Sequence, residues 1–334
     1  MTTHKPTSPA RFDVVGIGNA LVDVLSTEPD SFIEAHGLVK GSMALIETDT
    51  AETLYAAMGA KTEMSGGSAA NTLSGIASFG GRAAYIGRVR DDELGHSFAH
   101  DLRALGVYYS DAKASSGDPT GRCLIVVTPD AQRTMSTYLG ASGTLSVEDL
   151  ELDLVADSHV TFLEGYLFDQ PAAKEAFRVA ADAAHDAGRQ VALTLSDSFC
   201  VDRHRDDFLT LVHGGVDILF ANADEITRLY GVADVEAAVA EVRGACELAC
   251  VTRSELGSVV ITADDVIEVP AEPVTELVDT TGAGDLYAAG FLYGYTQGHD
   301  LAECGRLGSI AAAAVIGHLG PRPGLSLAQL IHPS

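Results

Sequence analysis

The chain has 334 residues, of which 46% are hydrophobic and 20% charged, and its formal net charge is −26 at pH 7. This composition is typical of a globular protein with a sizeable core. The negative charge argues against nucleic-acid and anionic-membrane partners, because phosphate groups select basic surfaces. The five scattered cysteines are typical of a reduced cytoplasmic protein. The polar start "MTTHKPTSPARF" predicts no signal peptide, and no apolar run is long enough to predict a membrane span.

The first half of the chain predicts alternating strands and helices. Residues 12–25, "FDVVGIGNALVDVL", are apolar and β-branched and predict a buried strand that leaves at glycines. A helix is predicted at "AETLYAAM", a glycine turn entering a helix at "EMSGGSAANTLSGIASFG", a strand at "RAAYIGRV", and a helix at "DDELGHSFAHDLRALG". The stretch "RCLIVVTPDAQRTMSTYL" predicts a two-stranded hairpin that turns at "TPDAQ".

The second half continues the alternation. Strands are predicted at "SHVTFLEG", "QVALTLSD" and "VDILFANADE", each followed by a helix, and late strands at "LACVTRSELGSVVIT" and "DVIEVP" precede two alanine-rich helices over 284–318. Such alternation predicts an α/β fold with a mostly parallel sheet and helices on both faces. Ligands then bind at the carboxyl ends of the strands. We expect a single domain over 1–334, with a small lid formed by insertions at about 24–46 and 107–140.

The heptapeptide "DTTGAGD", residues 279–285, has the form of an anion-binding loop. Small residues let backbone N–H groups converge, and the helix that follows presents its positive end. Asp285 would then lie beside the bound anion, where a carboxylate is unfavourable unless it acts, for example as the base that takes a proton from an attacking hydroxyl. The alternative is an ordinary helix start with an aspartate in its first turn.

Two glycine loops near the N-terminus also suit ligands. In "MSGGSAANTLSG", Gly67 permits close backbone approach and Asn71 offers an amide to a polyol. The alternative is a tight turn with Asn71 on a helix face. "GIGNAL" has only the first two glycines of a dinucleotide fingerprint, so NAD binding at Gly16 and Gly18 is a remote alternative.

Three further polar residues are candidates on the phosphate side. Asn222 and Glu225 in "FANADEIT" stand three apart at a strand–helix junction and suit a hydrated Mg²⁺ near phosphates. From these residues alone, a helix capping box is favoured. Arg133 lies at the hairpin turn and is one of few cations in an acidic chain, so it either pairs with a phosphate of the substrates or stays on the surface.

Together these pieces resemble the ribokinase-like (PfkB) family of carbohydrate and nucleoside kinases, over nearly the whole chain and in the same order. "GGSAAN" and "YIGRVRDDELG" resemble the N-terminal signature of that family, "NADE" its N-x-x-E motif and "DTTGAGD" its C-terminal signature. The resemblance implies a three-layer α/β/α sandwich with a small β-rich lid. It also implies an ATP-dependent phosphotransferase with an alcohol acceptor.

The resemblance implies roles for residues of the glycine loop. Asp285 would be the catalytic base, and the backbone of Gly282, Ala283 and Gly284 would form the anion hole for the transferring phosphoryl group. The positions implied for a monovalent cation such as K⁺ are Asp279, Thr281 and Gly320.

The resemblance also implies a nucleotide site. Asn222 and Glu225 would organise Mg²⁺ and the phosphates of ATP. Thr252 and Gly257 in "VTRSELGS" match a nucleotide-binding T-x-G-x-x-G motif, but Ser254 stands in place of its middle glycine. That departure puts the shape of this loop in question, not the assignment to the kinases.

On the acceptor side, "GIGNALVD" is similar to the adenosine-kinase branch, in which the aspartate matching Asp23 holds ribose hydroxyls. Gly67 and Asn71 would complete this contact, with Arg133 nearby. The segment "GLVKGSMALIETDTAETLYAAM" also resembles the longer lid-entry segment of adenosine kinases. The resemblance therefore favours a ribonucleoside acceptor, adenosine first.

The function expected from the sequence is ATP-dependent phosphorylation of the 5′-hydroxyl of adenosine, by a monomer or homodimer whose partners are a small nucleoside or sugar and ATP. One alternative is a sugar kinase of the ribokinase or fructokinase type. Another is a non-catalytic nucleoside-binding regulator, against which the presence of Asp285 argues.

Overall fold

The computed structural model describes residues 9–110, 113–130, 132–322 and 324–331. Within these ranges the strands, in chain order, are β1 (Phe12–Ile17), β2 (Leu21–Thr27), β3 (Met43–Leu45), β4 (Lys61–Gly66), β5 (Ala83–Ile86), β6 (Tyr108–Tyr109), β7 (Thr120–Val127), β8 (Arg133–Gly140), β9 (Ser158–Glu164), β10 (Gln190–Thr194), β11 (Ile218–Asn222), β12 (Leu248–Thr252), β13 (Ser258–Thr262) and β14 (Val266–Val269).

The α-helices of the same ranges are α1 (Asp30–Ala35), α2 (Thr48–Ala57), α3 (Ser68–Phe79), α4 (Glu93–Ala104), α5 (Leu152–Ala156), α6 (Pro171–Asp186), α7 (Ser198–Gly214), α8 (Ala223–Tyr230), α9 (Val235–Val242), α10 (Ala283–Thr296), α11 (Leu301–Ile316) and α12 (Ala328–Ile331). The two alanine-rich helices predicted near the C-terminus are α10 and α11, as expected.

The main sheet is mostly parallel, which confirms the prediction. Its strand order is β14-β13-β12-β11-β10-β9-β1-β5-β6. From β12 to β6 neighbouring strands run parallel, and only β13 pairs antiparallel, with β12 and with β14. The carboxyl ends of the parallel strands therefore meet at one edge of the sheet, where ligands bind in folds of this kind.

Helices cover both faces of this sheet, so the molecule has three layers. On β1, Val14 and its neighbour Val15 are both fully buried but belong to different cores, because successive side chains of a strand point to opposite faces. One core includes Phe291 of α10, and the other includes Phe177 of α6 and Phe208 of α7. Burial on both faces explains why the strand sequences are continuously apolar, and the α/β/α sandwich is confirmed.

A second, five-stranded sheet has the order β3-β8-β7-β2-β4. The predicted hairpin is its β7–β8 pair, which is antiparallel. The strands of this sheet come from residues 21–66 and 120–140. The first of these segments is longer than the predicted 24–46, because it includes β4. The second is shorter than the predicted 107–140, because β6 belongs to the main sheet. We call this sheet, with α1 and α2, the lid.

The stretch 12–25 contains a buried strand that leaves at a glycine, as predicted, and also a second strand that was not predicted. The chain leaves the main sheet after β1 and enters the lid as β2. Gly18 lies at this crossing, and a Cβ on it would collide with the carboxylate of Glu164 and with Ala69. Apolar composition alone does not separate two short buried strands that lie in different sheets.

The five cysteines are free thiols, and four of them are buried. Cys250 and Cys304 pack in the same core. Among the described residues, no helix has both the length and the apolar character that are needed to cross a bilayer.

Candidate active site

Asp285 lies in the first turn of α10, and two donors hold its carboxylate. Its Oδ1 accepts a hydrogen bond from Ser68 Oγ at 2.6 Å, and its Oδ2 accepts one from Asn71 Nδ2 at 3.0 Å. Burial raises the pKa of Asp285, and the bonds from Ser68 and Asn71 and the charge of Arg322 oppose that rise. The result is a partly desolvated, oriented carboxylate at the positive end of a helix.

The loop before α10 depends on a glycine. Gly282 is the N-cap residue and has a φ of 77°, a left-handed conformation that favours glycine. A Cβ at this position would also lie 2.6 Å from the carbonyl oxygen of Pro321. The backbone therefore turns sharply here and presents the start of α10 to the site.

The predicted anion-hole residues differ in what their N–H groups do. The N–H of Ala283 donates to the carbonyl of Thr280 at 3.2 Å, so it is engaged within the loop. Gly284 belongs to the first helical turn, whose N–H groups have no acceptor within the helix. A Cβ on Gly284 would meet no atom within 4 Å, which leaves open space beside this part of the backbone.

One small cavity of about 70 Å³ joins the predicted base to the predicted phosphate side. It lies at the carboxyl ends of β10, β11 and β12, next to the starts of α3 and α10. Its lining residues are Ser68, Thr194, Ser196, Phe220, Ala221, Asn222, Glu225, Cys250, Thr252, Gly284, Asp285 and Tyr287. The structure thus brings Asn222, Glu225 and Thr252 to the same place as Asp285.

Asn222 and Glu225 form a capping box at the start of α8. The Asn222 N–H donates to Glu225 Oε2 at 2.9 Å, and Asn222 Nδ2 donates to Oε1 at 2.7 Å. Glu225 is buried, and burial raises its pKa to about 7. Each carboxylate oxygen of Glu225 thus accepts one hydrogen bond from Asn222, and the pair suits a hydrated Mg²⁺ nearby.

The described residues contain no cluster of three or more His, Cys, Asp or Glu side chains arranged to hold a metal ion. Mg²⁺ commonly binds through substrate phosphates and water with one or two carboxylates. The residues present therefore fit a magnesium ion that arrives with the phosphates of a nucleotide.

The loop after β12 keeps a glycine-like shape despite Ser254. Thr252 ends β12 and pairs in register with Asn222 of β11. Ser254 has a φ of 52° and Gly257 a φ of 81°, and a Cβ on Gly257 would collide with the carbonyl of Val269. Ser254 thus adopts the left-handed conformation that a glycine takes at lower cost.

The three residues predicted for a monovalent cation lie together, because the Asp279 carboxylate accepts hydrogen bonds from the N–H groups of the other two. Its Oδ1 accepts from the Thr281 N–H at 2.9 Å, and its Oδ2 accepts from the Gly320 N–H at 2.8 Å. The Arg133 guanidinium lies 2.6 Å from Oδ2. Two N–H donors and the positive charge of Arg133 thus contact this carboxylate in the structure.

Arg133 lies inside the molecule and not on its surface. It begins β8 of the lid, and its side chain is only 10% exposed while that of Asp279 is 1% exposed. Burial lowers the pKa of Arg133, and the charges of Asp279 and Asp23 oppose this. A buried ion pair therefore joins the lid to the loop before α10.

Asp23 lies on β2 of the lid and is buried. Burial raises its pKa to about 7, while the charges of Arg322 and Arg133 lower it. A Cβ on Gly66 of β4 would collide with its carboxylate, so glycine at this position leaves room for Asp23. The lid thus presents a desolvated carboxylate close to the turn that leads into α3.

Sequence reasoning missed Glu164, which ends β9 and is buried. Its Oε1 accepts from Asn19 Nδ2 and its Oε2 from the Ala69 N–H, both at 2.9 Å. Burial raises its pKa to about 7. Gly67 completes this arrangement, since it has a φ of 96° and a Cβ on it would collide with the carbonyl of Asn19. The sequence does contain a signal for Glu164, because this residue follows an apolar run that predicts a parallel strand, and ligands bind at the carboxyl ends of such strands.

Two more residues of the site were missed. Ser68 stands inside the quoted motif "MSGGSAANT" and binds Asp285. Arg322 follows α11, and its Nη1 donates to Ser65 Oγ at 2.8 Å while its Nε donates to Asn71 Oδ1 at 3.4 Å. Only the scarcity of cations in the sequence pointed to Arg322.

A carboxylate at the positive start of a helix, beside a glycine loop, can accept a proton from a hydroxyl while backbone N–H groups stabilise a phosphoryl group. Residues 35–327 match the pfkB family of carbohydrate kinases. This chain belongs to that family.

Solved structures and curated sequences with similar chains carry nucleoside-kinase and sugar-kinase names. An adenosine kinase from Sinorhizobium meliloti is 53% identical, with a TM-score of 0.91, over 96% of this chain and 99% of that one. A probable sugar kinase from Rhizobium etli is 50% identical, also with a TM-score of 0.91, over 96% and 98%. Adenosine kinase 2 of Arabidopsis thaliana is 25% identical over 92% of this chain and 94% of its own length. This chain is therefore a phosphotransferase of the nucleoside and sugar kinase type.

Proposed function

We propose that this protein is an adenosine kinase, which transfers the γ-phosphoryl group of ATP to the 5′-hydroxyl of adenosine and yields AMP and ADP. The observation that carries the proposal is the Asp285 carboxylate, held by Ser68 and Asn71 at the start of α10. The 53% identity to an adenosine kinase over 96% of the chain supports adenosine as the acceptor.

In the proposed reaction, Asp285 accepts the proton of the 5′-hydroxyl as its oxygen attacks the γ-phosphorus. The new P–O bond forms while the bond from the γ-phosphorus to the leaving oxygen of ADP breaks. Ser68 and Asn71 hold the carboxylate in place, so the base needs little reorganisation. The raised pKa of Asp285 makes it a stronger base than an exposed aspartate, and the bonds from Ser68 and Asn71 oppose that rise.

The phosphoryl group would lie over the first turn of α10, beside Gly284. The N–H groups there and the positive end of the helix stabilise the negative charge that the transferring group carries. The open space next to Gly284 is where this group fits. A bound Mg²⁺ would supply further neutralisation of the phosphate charge. Asn222 and Glu225 are the residues that would hold its water shell, and Thr252 and Gly257 would shape the nucleotide loop.

On the acceptor side, Asp23 would accept hydrogen bonds from ribose hydroxyls, with Gly67 and Asn71 close by. The lid that carries Asp23 would cover the ribose and keep water from competing as acceptor. Arg133, which is paired with Asp279, would contribute positive charge on the side of the substrate phosphates. We keep the proposal of a K⁺ site at Asp279, Thr281 and Gly320.

Coupled measurement of ADP release tests the proposal, with adenosine, inosine, guanosine, ribose and fructose as acceptors. We expect kcat/KM to be highest with adenosine. A strong preference for ribose or fructose would overturn the adenosine assignment. It would favour the sugar kinase alternative, which the 50% identity to a probable sugar kinase also supports.

The same assay of ADP release distinguishes a kinase from a non-catalytic nucleoside-binding regulator. Tight nucleoside binding without ADP release would establish it. Turnover that disappears in Asp285→Asn would exclude it, because a contaminating kinase would not respond to that change.

A further inference from the structure

A chain of two hydrogen bonds connects Arg322, which follows α11, to the proposed catalytic base. Arg322 Nε donates to Asn71 Oδ1 on α3 at 3.4 Å, and Asn71 Nδ2 in turn donates to Asp285 Oδ2 at 3.0 Å. Hydrogen bonds in such a chain polarise one another. The positive guanidinium therefore acts on the Asp285 carboxylate through the amide of Asn71 and needs no direct contact with it.

Arg322 also favours the amide orientation that the base requires. An amide oxygen can only accept and an amide nitrogen can only donate, and the two ends of Asn71 meet a donor, Arg322, and an acceptor, Asp285. A rotation of the amide by about half a turn would make both contacts repulsive. The guanidinium is itself held from the lid, because its Nη1 donates to Ser65 Oγ on β4 at 2.8 Å while the Ser65 N–H donates to Asp101 Oδ2 at 3.1 Å.

The base lies among other acidic groups, so the charge of Arg322 matters for its protonation. Burial raises the pKa of four neighbouring groups, and the charge of Asp285 adds to each rise: Asp23, Glu164, Glu225 and Tyr166. Burial also raises the pKa of Asp285, and Arg322 opposes that rise with a positive charge. Arg322 thus balances part of the negative charge that surrounds the base.

Arg322 stays charged in these surroundings. Burial lowers its pKa, and acidic groups on four elements oppose this, namely Asp23 of β2, Asp101 of α4, Tyr85 of β5 and Asp285 of α10. A guanidinium does not lose its proton in proteins. Its charge is therefore present over the whole pH range in which the carboxyl groups of the site titrate.

We propose that Arg322 is a positioning residue for the catalytic base: it orients the Asn71 amide toward Asp285, and its charge favours the ionised carboxylate that can accept a proton. This inference rests on the proposed function of Asp285. A purely structural Arg322 would brace the lid against α3 and would leave the protonation of Asp285 unchanged.

The pH dependence of kcat/KM, measured with the acceptor that gives turnover, tests the proposal. Activity should fall at acidic pH as Asp285 becomes protonated. Because Arg322→Gln keeps an amide donor but removes the charge, we expect this fall to begin at a pH higher by about 1 unit, the low end of the effect of a nearby opposite charge. Relative to the wild type, kcat/KM should then be lower by about 10-fold on the acidic side and by less than about 3-fold on the alkaline plateau.

Two variants are the controls. Arg322→Lys keeps the charge and should keep the profile near that of the wild type. Arg82→Gln removes an equal charge at the opposite edge of the main sheet, where Arg82 pairs with Asp13 of β1, and should leave the profile in place because distant exposed charges are screened. An equal loss of activity at every pH in Arg322→Gln, or the same displacement in Arg82→Gln, would overturn the proposal.

Titration of the aspartate carboxyl groups by ¹³C NMR measures the base without turnover. The resonance that is absent from Asp285→Asn identifies Asp285, and its midpoint should rise in Arg322→Gln but not in Arg322→Lys or Arg82→Gln. Absence of kinase activity would remove the proposed function, whereas an unchanged midpoint of Asp285 would overturn the role of Arg322. If Arg322→Gln does not fold, as judged by circular dichroism, Arg322→Met takes its place, because an apolar side chain of similar volume is often tolerated where a buried charge stood. The same rise is then expected.

Discussion

Asn71 Nδ2 lies 3.0 Å from Asp285 Oδ2, although the two residues are 214 positions apart in the chain. This contact joins the start of α3, which follows the glycine turn at 66–67, to the start of α10, which follows the glycine loop over 279–285. Both helices begin at the carboxyl edge of the main sheet, so the fold itself brings the two motifs together. The same amide accepts from Arg322 at its other end, which determines which atom of Asn71 faces the carboxylate.

The first prediction concerns Asp285→Asn. We expect kcat to fall roughly 10²–10⁴-fold, the range for loss of a positioned general base. The melting temperature should change little, because the variant loses the bond from Asn71 but also removes a buried charge whose pKa is raised by burial. Steady-state kinetics and thermal unfolding measure the two effects. A kcat like that of the wild type would remove Asp285 from the mechanism.

The second prediction concerns the space beside Gly284. A Cβ there meets no protein atom within 4 Å, so Gly284→Ala should fold and be at least as stable as the wild type, since alanine is favoured over glycine in helices by about 1 kcal/mol. If the transferring phosphoryl group lies in this space, kcat/KM for ATP should fall by at least about 10-fold.

The control for that variant is Gly214→Ala. A Cβ at Gly214, the last residue of α7, also meets no atom within 4 Å, and this helix end precedes β11 at the opposite edge of the sheet. Activity should stay at the wild-type level. Equal activity of the Gly284 and Gly214 variants would place the phosphoryl group elsewhere.

Much of the fold could be predicted from local patterns. Apolar runs such as "SHVTFLEG" and "VDILFANADE" are strands of the parallel sheet, and the alanine-rich C-terminal stretch is two helices. The second strand, β2, could not be predicted, because β1 and β2 are both apolar and buried. What separates them is that they lie in different sheets, with Gly18 between them at a place where a Cβ would collide with Glu164.

The candidate site was predictable where it lies in motifs and not where it depends on distant contacts. Asp285 and Asn71 lie in glycine-rich sequences, which predict a close approach of the backbone to a ligand. The pairing of Arg133 with Asp279 joins residues far apart in the chain, and no local pattern predicts that the arginine of a hairpin turn is buried. Arg322 poses the same difficulty, since its role follows only from the partners that tertiary packing gives it.

The third prediction concerns the strained loop after β12. Ser254 has a left-handed φ of 52°, which costs a non-glycine residue roughly 1–2 kcal/mol, while glycine there costs about 0.5–1 kcal/mol in conformational entropy. Ser254→Gly should therefore raise the free energy of unfolding by up to about 1 kcal/mol. Urea unfolding measures this change. Ser254→Ala keeps the strain and should give no gain, so equal stabilisation by both variants would contradict the explanation.

The last prediction concerns the pH dependence of stability. Burial raises the pKa of Glu164 from 4.5 to about 7 in the folded protein, so its contribution to stability is fully present below about pH 4.5 and is lost as pH rises through 7. Asp23 and Glu225, whose pKa values are also raised to about 7, act in the same direction. The melting temperature of the wild type should therefore fall between pH 5 and pH 8 on account of these groups.

Glu164→Gln isolates one of these groups. The glutamine oxygen can accept from the Ala69 N–H, and its amide can donate to Asn19 Oδ1, a buried atom without a hydrogen-bond partner among the described residues, once the Asn19 amide rotates. One pKa unit corresponds to about 1.4 kcal/mol. The fall in the free energy of unfolding from pH 5 to pH 8 should therefore be smaller in the variant than in the wild type, by an amount on the order of a few kcal/mol. Thermal unfolding at both pH values measures it. Identical falls in wild type and variant would mean that Glu164 does not titrate in this range, and that its hydrogen bonds from Asn19 and Ala69 outweigh the cost of burial.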